Sequence, residues 1–327
     1  MNAPKSPYPW FGGKSRAAEH IWRAFGSVDN YVEPFFGSGV VLLSRPDFDS
    51  TKTQIETIND LDSMVANFWR SVKSDPDAVA YWADYPVSEI DMHARHGWLV
   101  NRKERLSWCL EDPDFYDAKI AGWWVWGMAS WIGGGFCSGA GPWVSDGAHI
   151  HDSRQLPGRG NRKRPHLGDA GQGINRQRPH YEYMAQLSER MRNVRVCNGD
   201  WTRVLGPSVT LKHGMTGIFL DPPYSEETGR VEVYSHDSGT IAHDVRQWCI
   251  ENGDNPLLRI VLCGHDGEHD MPQSWQCVQG YATNGGYGGQ KRDGSNQNHK
   301  RERMWLSPAC IKERTLFDML AEQEIGP

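Results

Sequence analysis

The sequence predicts an α/β protein with a doubly wound, mostly parallel sheet of seven strands and an inserted second domain. Three observations lead to this prediction. Short apolar segments with helix-like runs between them occur near both ends of the chain. A glycine-containing turn directly follows the first of these segments. Between about residues 75 and 192 the composition changes, first to tryptophan-rich runs and then to a glycine-rich, basic stretch.

The elements follow in order along the chain. The turn Phe36-Gly37-Ser38-Gly39 joins the first strand to a helix, and either Asp62 or Ser63 is expected to cap the helix after the second strand. The seven strands are expected at residues 31–35, 55–59, 194–198, 217–220, 259–263, 275–282 and 303–307. Helix-like runs are expected at residues 40–43, 64–69, 88–110, 114–131, 180–192 and 240–252. One domain of residues 1–74 and 193–327 would then surround an insert, mainly helical and loop-rich, of residues 75–192.

Composition excludes several classes of protein. The 327 residues include 15 Trp, 11 Tyr and 10 Phe, which is far too aromatic for a disordered chain. No apolar run is long enough to span a membrane, and the N-terminus lacks the apolar run of a secretory signal. The seven cysteines are scattered without a Cys-x-x-Cys pair, so we expect neither a disulfide framework nor a zinc site. These features predict a soluble, cytoplasmic protein without a metal.

The glycine turn indicates a ligand site at the carboxyl edge of the sheet. Glycines between a strand and a helix let the backbone approach a ligand and direct its N–H groups at it. Leu42 stands where a dinucleotide fingerprint needs its third glycine or alanine, which disfavours a nicotinamide oxidoreductase. Asp60, about twenty residues on, has the usual position of an acid that accepts ribose hydroxyls. It could instead belong to a simple turn, but Asp62 can cap the helix, so we expect Asp60 to be available to a ligand.

The most specific segment is Asp221-Pro222-Pro223-Tyr224, directly after an apolar strand. Consecutive prolines cannot donate backbone hydrogen bonds or continue a central strand, so they fix the loop and leave their carbonyls to accept. A carboxylate, rigid carbonyls and an aromatic face together suit a planar ligand that carries an amino group. A turn that merely ends the strand is the plain alternative.

Three elements together resemble the D12-class, or Dam-like, DNA adenine-N6 methyltransferases. They are Trp10-Phe11-Gly12-Gly13-Lys14, then Glu33-Pro34-Phe35-Phe36-Gly37-Ser38-Gly39, and finally Asp221-Pro222-Pro223-Tyr224, in the order found in that family. The resemblance covers roughly residues 8–75 and 190–310 and implies a Rossmann-like methyltransferase sheet with an inserted target-recognition domain. Phe36 departs from the pattern, because many members have a small residue there and a phenylalanine could crowd the turn.

The resemblance also assigns roles to residues. It implies that S-adenosylmethionine is bound by Trp10, Gly12, Gly13, Lys14, Glu33, Phe35, Gly37, Gly39, Asp60, Asp200 and Asp221. Asp221, Pro222 and Tyr224 would form the catalytic loop. The Asp221 carboxylate and the Pro222 carbonyl would accept the two N–H bonds of an adenine amine, and Tyr224 would stack on the flipped-out base.

A chain of net charge −6 needs local basic segments to bind double-stranded DNA. Two segments are candidates, one in the insert and one between the last two expected strands. Their basic residues are Arg154, Arg159, Arg162, Lys163, Arg164, Arg176 and Arg178 in the first, and Lys291, Arg292, Lys300, Arg301 and Arg303 in the second, where Lys291 and Arg292 are the expected DNA contacts. We expect base readout from the insert, and a homodimer on a palindromic site is compatible with this interpretation.

Other interpretations keep the predicted fold but change the substrate or remove the activity. The same fold could methylate cytosine N4, RNA adenine or a protein amide, or the chain could be an inactive DNA-binding relative. The tryptophans between 123 and 131 are expected to pack inside the protein rather than to stack on bases, and the histidine pairs at 149–151 and 265–269 are not expected to bind metal.

Overall fold

The computed structural model describes residues 4–10, 14–46, 48–49, 51, 54–130, 136–137, 143–145, 150–152, 180–223, 240–279 and 301–311. Within them the fold is a mixed α/β arrangement with a seven-stranded sheet, which confirms the predicted class and the number of strands. The strands are β1 Asn30–Glu33, β2 Ile55–Asp60, β3 Trp143–Ser145, β4 Ile150–Asp152, β5 Val194–Asn198, β6 Thr216–Leu220, β7 Leu258–His265, β8 Gln276–Val278 and β9 Glu302–Leu306. The helices are α1 Ala18–Phe25, α2 Val40–Leu43, α3 Ser63–Ser74, α4 Pro76–Ala83, α5 Glu89–Val100, α6 Lys103–Cys109, α7 Ala118–Ser130, α8 His180–Met191, α9 Pro207–Thr210 and α10 Ile241–Asn252, with a 3-10 helix at Trp201–Val204.

The order of strands across the large sheet is β5-β2-β1-β6-β7-β9-β8, while β3 and β4 form a separate antiparallel pair. The five strands from β5 to β7 are mutually parallel, and β9 and β8 add antiparallel pairs at one end. From β1 the chain continues outwards to β2, whereas β6 lies on the other side of β1. The strand order therefore reverses between β1 and β6, and their carboxyl ends open the crevice where ligands bind in doubly wound sheets.

Burial explains why the central strands form where they do. Every residue of β1 and of β6 is buried, as expected for parallel strands that are covered on both faces. Gly217 on β6 lies under the ring of Phe25, so close that a β-carbon there would be 3.1 Å from the ring. This glycine lets α1 pack tightly on the sheet. The strand expected over residues 275–282 begins one residue later, at Gln276, because Trp275 still closes a turn with the Pro272 carbonyl; it ends at Val278, and residues 280–282 lie outside the described part of the chain.

Helices α4 to α7 share one buried hydrophobic cluster with α1, α3 and α8. Phe68 and Trp69 on α3 lie in this cluster with Trp124 and Trp126 on α7, all four almost inaccessible to solvent. The prediction that the tryptophans of α7 pack inside the protein is therefore confirmed for Trp124 and Trp126. The domain boundaries at 74/75 and 192/193 stay a prediction.

A buried ion triad connects β2 to α8. The Glu56 carboxylate accepts two hydrogen bonds from Arg190, at 2.6 and 2.9 Å, and one from Arg45 at 3.1 Å. The same arginines donate to the backbone carbonyls of Leu42 and Val28. All three ionic side chains are buried, so the triad holds β2 and α8 together where water does not compete.

Asp62, rather than Ser63, caps α3, since its carboxylate accepts a hydrogen bond from the backbone N–H of Met64 at 2.9 Å. Helix α8 begins at His180, as expected.

In the part of the chain that the structure describes, no helix is long and apolar enough to cross a membrane.

Candidate active site

A pocket opens at the carboxyl edge of the sheet, on both sides of the point where the strand order reverses. Its empty volume is about 950 Å³, including space open to solvent, which is the size of a typical small-ligand site. Eight of the predicted ligand-binding residues line it, namely Trp10, Lys14, Glu33, Phe35, Gly37, Asp60, Asp200 and Asp221. The structure thus brings together side chains that are up to about 210 positions apart in the sequence.

The glycine turn after β1 has the backbone geometry that glycine permits. Gly37 and Gly39 have φ values of +50° and +69°, in the region that other residues rarely adopt. The Trp10 indole packs so closely against Gly37 that a β-carbon there would be 2.5 Å from the ring nitrogen. The Phe36 ring lies against Gly39 and is edge-on to Trp69, with ring centres 5.3 Å apart. Phe36 therefore does not block the turn, because the bare Gly39 makes room for its ring.

The segment before Trp10 holds the turn from the other side, a role that sequence reasoning missed. The buried Tyr8 hydroxyl donates to the Gly37 carbonyl at 2.7 Å, and the Ser6 hydroxyl donates to the Ser38 carbonyl at 3.1 Å. Tyr183 on α8 anchors the segment by donating to the Lys5 carbonyl at 2.6 Å. No local pattern marks Tyr8, because its partners lie about 30 and 60 residues further along the chain.

Asp60 is engaged by the protein backbone and also lines the pocket, and its role towards a ligand stays a prediction. One carboxylate oxygen accepts the Gly37 N–H at 2.8 Å, and the other accepts the Asp62 N–H at 2.8 Å. Burial nevertheless outweighs these hydrogen bonds and raises the pKa of Asp60 to about 6. Asp60 thus connects the end of β2 to the glycine turn while it lines the pocket.

Glu33, the last residue of β1, lies deep in the pocket wall. It is buried, and the Tyr31 hydroxyl donates to its carboxyl oxygen at 2.7 Å. Burial raises the pKa of Glu33 well above its usual value, and the negative charge of Asp221 raises it further. Both effects favour the protonated form of Glu33, so this corner of the pocket disfavours a second negative charge close to Asp221.

The wall formed by the end of β5 combines a carboxylate with an aromatic face. Asp200 caps the 3-10 helix by accepting a hydrogen bond from the Thr202 N–H at 2.9 Å, and it is exposed at the pocket. The next residue, Trp201, stacks on Phe35 with ring centres 6.2 Å apart and an angle of 28° between the planes. Trp201 was missed from sequence, although its position directly after Asp200 is a usable signal.

The loop after β6 provides the opposite wall. Asp221 and Pro223 line the pocket, and Pro222 between them is buried. The ammonium group of Lys14 lies 3.0 Å from a carboxylate oxygen of Asp221. Ile241, at the start of α10, closes the pocket beyond this loop.

Several predicted residues lie outside the described part of the chain, so their roles stay predictions. They are Gly12, Gly13, Tyr224, Arg154, Arg159, Arg162, Lys163, Arg164, Arg176, Arg178, Lys291 and Arg292. Gly39 and Pro222 are described and adjoin the pocket in the chain, at the start of α2 and after Asp221. Among the described residues, no three His, Cys, Asp or Glu side chains are arranged to hold a metal ion.

Comparison with known proteins finds a similarity in the N-terminal part of the chain. No curated protein matches the chain. The match to a family model runs past residue 74 into α4 and the first part of α5, and it ends well before Asp221. It confirms the resemblance predicted from the motifs: residues 10–93 match the family described as D12 class N6 adenine-specific DNA methyltransferase.

Proposed function

We propose that this protein transfers a methyl group from S-adenosylmethionine to the N6 amine of a flipped-out adenine in double-stranded DNA. One observation supports this function above all others. The glycine turn, which lies within the family match, and Asp221, which lies far outside it, line the same pocket. The two halves of the expected chemistry, binding of a methyl donor and gripping of an amine, are therefore adjacent.

The residues present suit S-adenosylmethionine. The stacked Phe35 and Trp201 offer an aromatic surface for a purine ring. Asp60 and Asp200 offer carboxylate oxygens to hydroxyl and amino groups. The Trp10 ring packs so closely on Gly37 that no side chain fits there. Backbone atoms of the glycine turn therefore form this part of the pocket surface. When bound, this cofactor supplies a strongly electrophilic methyl group on its sulfonium.

The protein's own part in the reaction is to bind and polarise the amine. An adenine amine is a weak nucleophile, because its lone pair is delocalised into the ring. The Asp221 carboxylate and the Pro222 carbonyl accept its two N–H bonds, which draws the nitrogen towards tetrahedral geometry. The same oxygens stabilise the positive charge that develops on nitrogen as the new bond to the methyl group forms, until the nitrogen releases one of its protons to water. Their positions are set before the substrate arrives.

A base inside a duplex cannot reach such a pocket, so the target adenine must leave the helix at a cost of a few kcal/mol. Stacking on an aromatic side chain returns about 1–3 kcal/mol per base, and Tyr224 is the residue we assign to it. We assign DNA contact to an inserted recognition domain within residues 75–192, with the basic residues at 154–178, and to Lys291 and Arg292. The Rossmann-like methyltransferase arrangement, a sheet with such an insert, is part of this proposal, and the seven-stranded sheet supports it.

Transfer of a tritiated methyl group from S-adenosylmethionine to unmethylated duplex DNA tests this function. We expect label in DNA, recovered as N6-methyladenine when the nucleosides are separated. Asp221→Ala should abolish transfer yet still bind the cofactor product, whereas Asp77→Ala, on the exposed surface of α4, should behave as wild type.

The outcomes separate the alternatives. Label recovered in N4-methylcytosine, or in RNA alone, would show that the protein transfers the methyl group to a different substrate. DNA binding without any transfer would identify an inactive relative. Near-normal turnover by Asp221→Ala would refute the role of the loop. Sequencing of host DNA with detection of modified bases, with and without the protein, would then give the recognition sequence and show whether it is palindromic.

A further inference from the structure

Lys14 has a partner that its family role does not explain. Its ammonium group lies 3.0 Å from a carboxylate oxygen of Asp221, and the two side chains are only 3% and 20% exposed. The resemblance assigns Lys14 to the cofactor pocket, yet here it directly contacts the carboxylate that is expected to hold the substrate amine.

The backbone of Lys14 is firmly supported. Its carbonyl accepts the Ala18 N–H at 2.8 Å, at the first turn of α1. Helix α1 buries Ile21, Trp22 and Phe25, and Phe25 packs beneath Gly217 of β6, the strand that ends just before Asp221. Lys14 and Asp221 therefore approach each other from two elements that are packed on one another, so the ion pair has a defined geometry.

The electrostatic surroundings make this cation important for Asp221. The ionisable side chains that the described part of the chain places around the pocket are Lys14, Glu33, Asp60, Asp62, Asp200 and Asp221. Lys14 is the one cation among them, α10 contributes only the uncharged Ile241, and Lys103 neutralises Asp62 at 3.1 Å. Without Lys14, Asp221 would lie among these acids with no other described cation lining the pocket, in a corner where burial and the charge of Asp221 already raise the pKa of Glu33.

We propose that Lys14 is the positioning residue for Asp221, and that it fixes both the orientation and the ionised state of the carboxylate instead of anchoring the cofactor. This inference rests on the proposed function. A carboxylate has about four lone-pair directions, so an oxygen that accepts from Lys14 leaves others to accept an amine N–H. The ammonium group takes no proton from the substrate and donates none to it.

The test compares Lys14→Gln and Lys14→Arg with wild type, measuring kcat from pH 5 to 9 and calorimetric binding of S-adenosylhomocysteine. An opposite charge at this range lowers a carboxyl pKa by about 1–3 units, and activity needs the carboxylate. For Lys14→Gln we therefore expect the acidic limb of the kcat profile to move up by about 1–3 pH units. Lys14→Arg should leave the acidic limb in place. For both variants the dissociation constant of S-adenosylhomocysteine should stay within about threefold of the wild-type value.

The results separate this inference from the function on which it rests. Absence of methyl transfer by wild type refutes the proposed function. Suppose instead that the wild type is active. The positioning role is then refuted if Lys14→Gln leaves the acidic limb of the kcat profile unmoved, or if Lys14→Gln lowers the affinity for S-adenosylhomocysteine more than about tenfold. If Lys14→Gln does not fold, Lys14→Met provides the same comparison.

Discussion

Replacement of Glu56 by glutamine tests the buried ion triad that supports the strand leading to Asp60. The side chain keeps its size, but the two arginines lose a carboxylate that accepts three hydrogen bonds at 2.6, 2.9 and 3.1 Å. Breaking a buried pair by removing one partner typically costs about 3–5 kcal/mol, because an uncompensated charge remains in the interior. We expect Glu56→Gln to lower the free energy of unfolding by that amount, out of a total of about 5–15 kcal/mol.

Urea unfolding followed by tryptophan fluorescence measures this change. The matched control is Glu19→Gln, which removes the same charge from an ion pair with Arg23 on the surface of α1, where Glu19 is 73% exposed. That change should cost less than about 0.5 kcal/mol, because water screens exposed pairs. A loss below about 1 kcal/mol for Glu56→Gln would refute our account of the triad, since it would mean that the arginines find other compensation.

Three further predictions concern the pocket. Trp201→Ala removes the ring stacked on Phe35, which should cost about 1–3 kcal/mol of binding free energy. Calorimetry should then show the dissociation constant of S-adenosylhomocysteine raised roughly 5- to 150-fold. The control Trp108→Ala, on the surface of α6, should leave this constant unchanged. The affinity should fall as the pH drops below about 6, because Asp60 then takes up a proton, and Asp60→Asn should remove this pH dependence. Gly39→Ala forces an alanine to a φ of +69° and against the Phe36 ring, so it should lower stability by about 1–3 kcal/mol in urea unfolding; an unchanged midpoint would refute the strain.

Much of the sheet could be predicted from sequence because its signals are local. Apolar runs that end in Gly37 or Asp221 indicate strand ends without any knowledge of their neighbours, and all seven expected strands occur. The loop of Asp221, the turn of Gly37 and the acid at Asp60 were likewise found as short motifs. They meet in one pocket because parallel strands place their carboxyl ends at the same edge.

The rest depends on contacts between residues far apart in the chain. The hydrogen bond from Tyr8 to the glycine turn, the stacking of Trp201 on Phe35 and the ion pair of Lys14 with Asp221 leave no periodic pattern in the sequence.

The linear order of residues by itself determined the α/β class, the positions of the strands and the three elements that indicate methyl transfer, since turns, prolines and apolar runs act over a few neighbouring residues. Only the tertiary structure decided the state of each side chain in the pocket. Asp60 proved to be bound by two backbone N–H groups, Glu33 to have a pKa well above its usual value because it is buried, and Asp221 to be held by a buried cation. The physical reason is that desolvation and charge pairing depend on distance in space, which folding sets and sequence separation does not reveal.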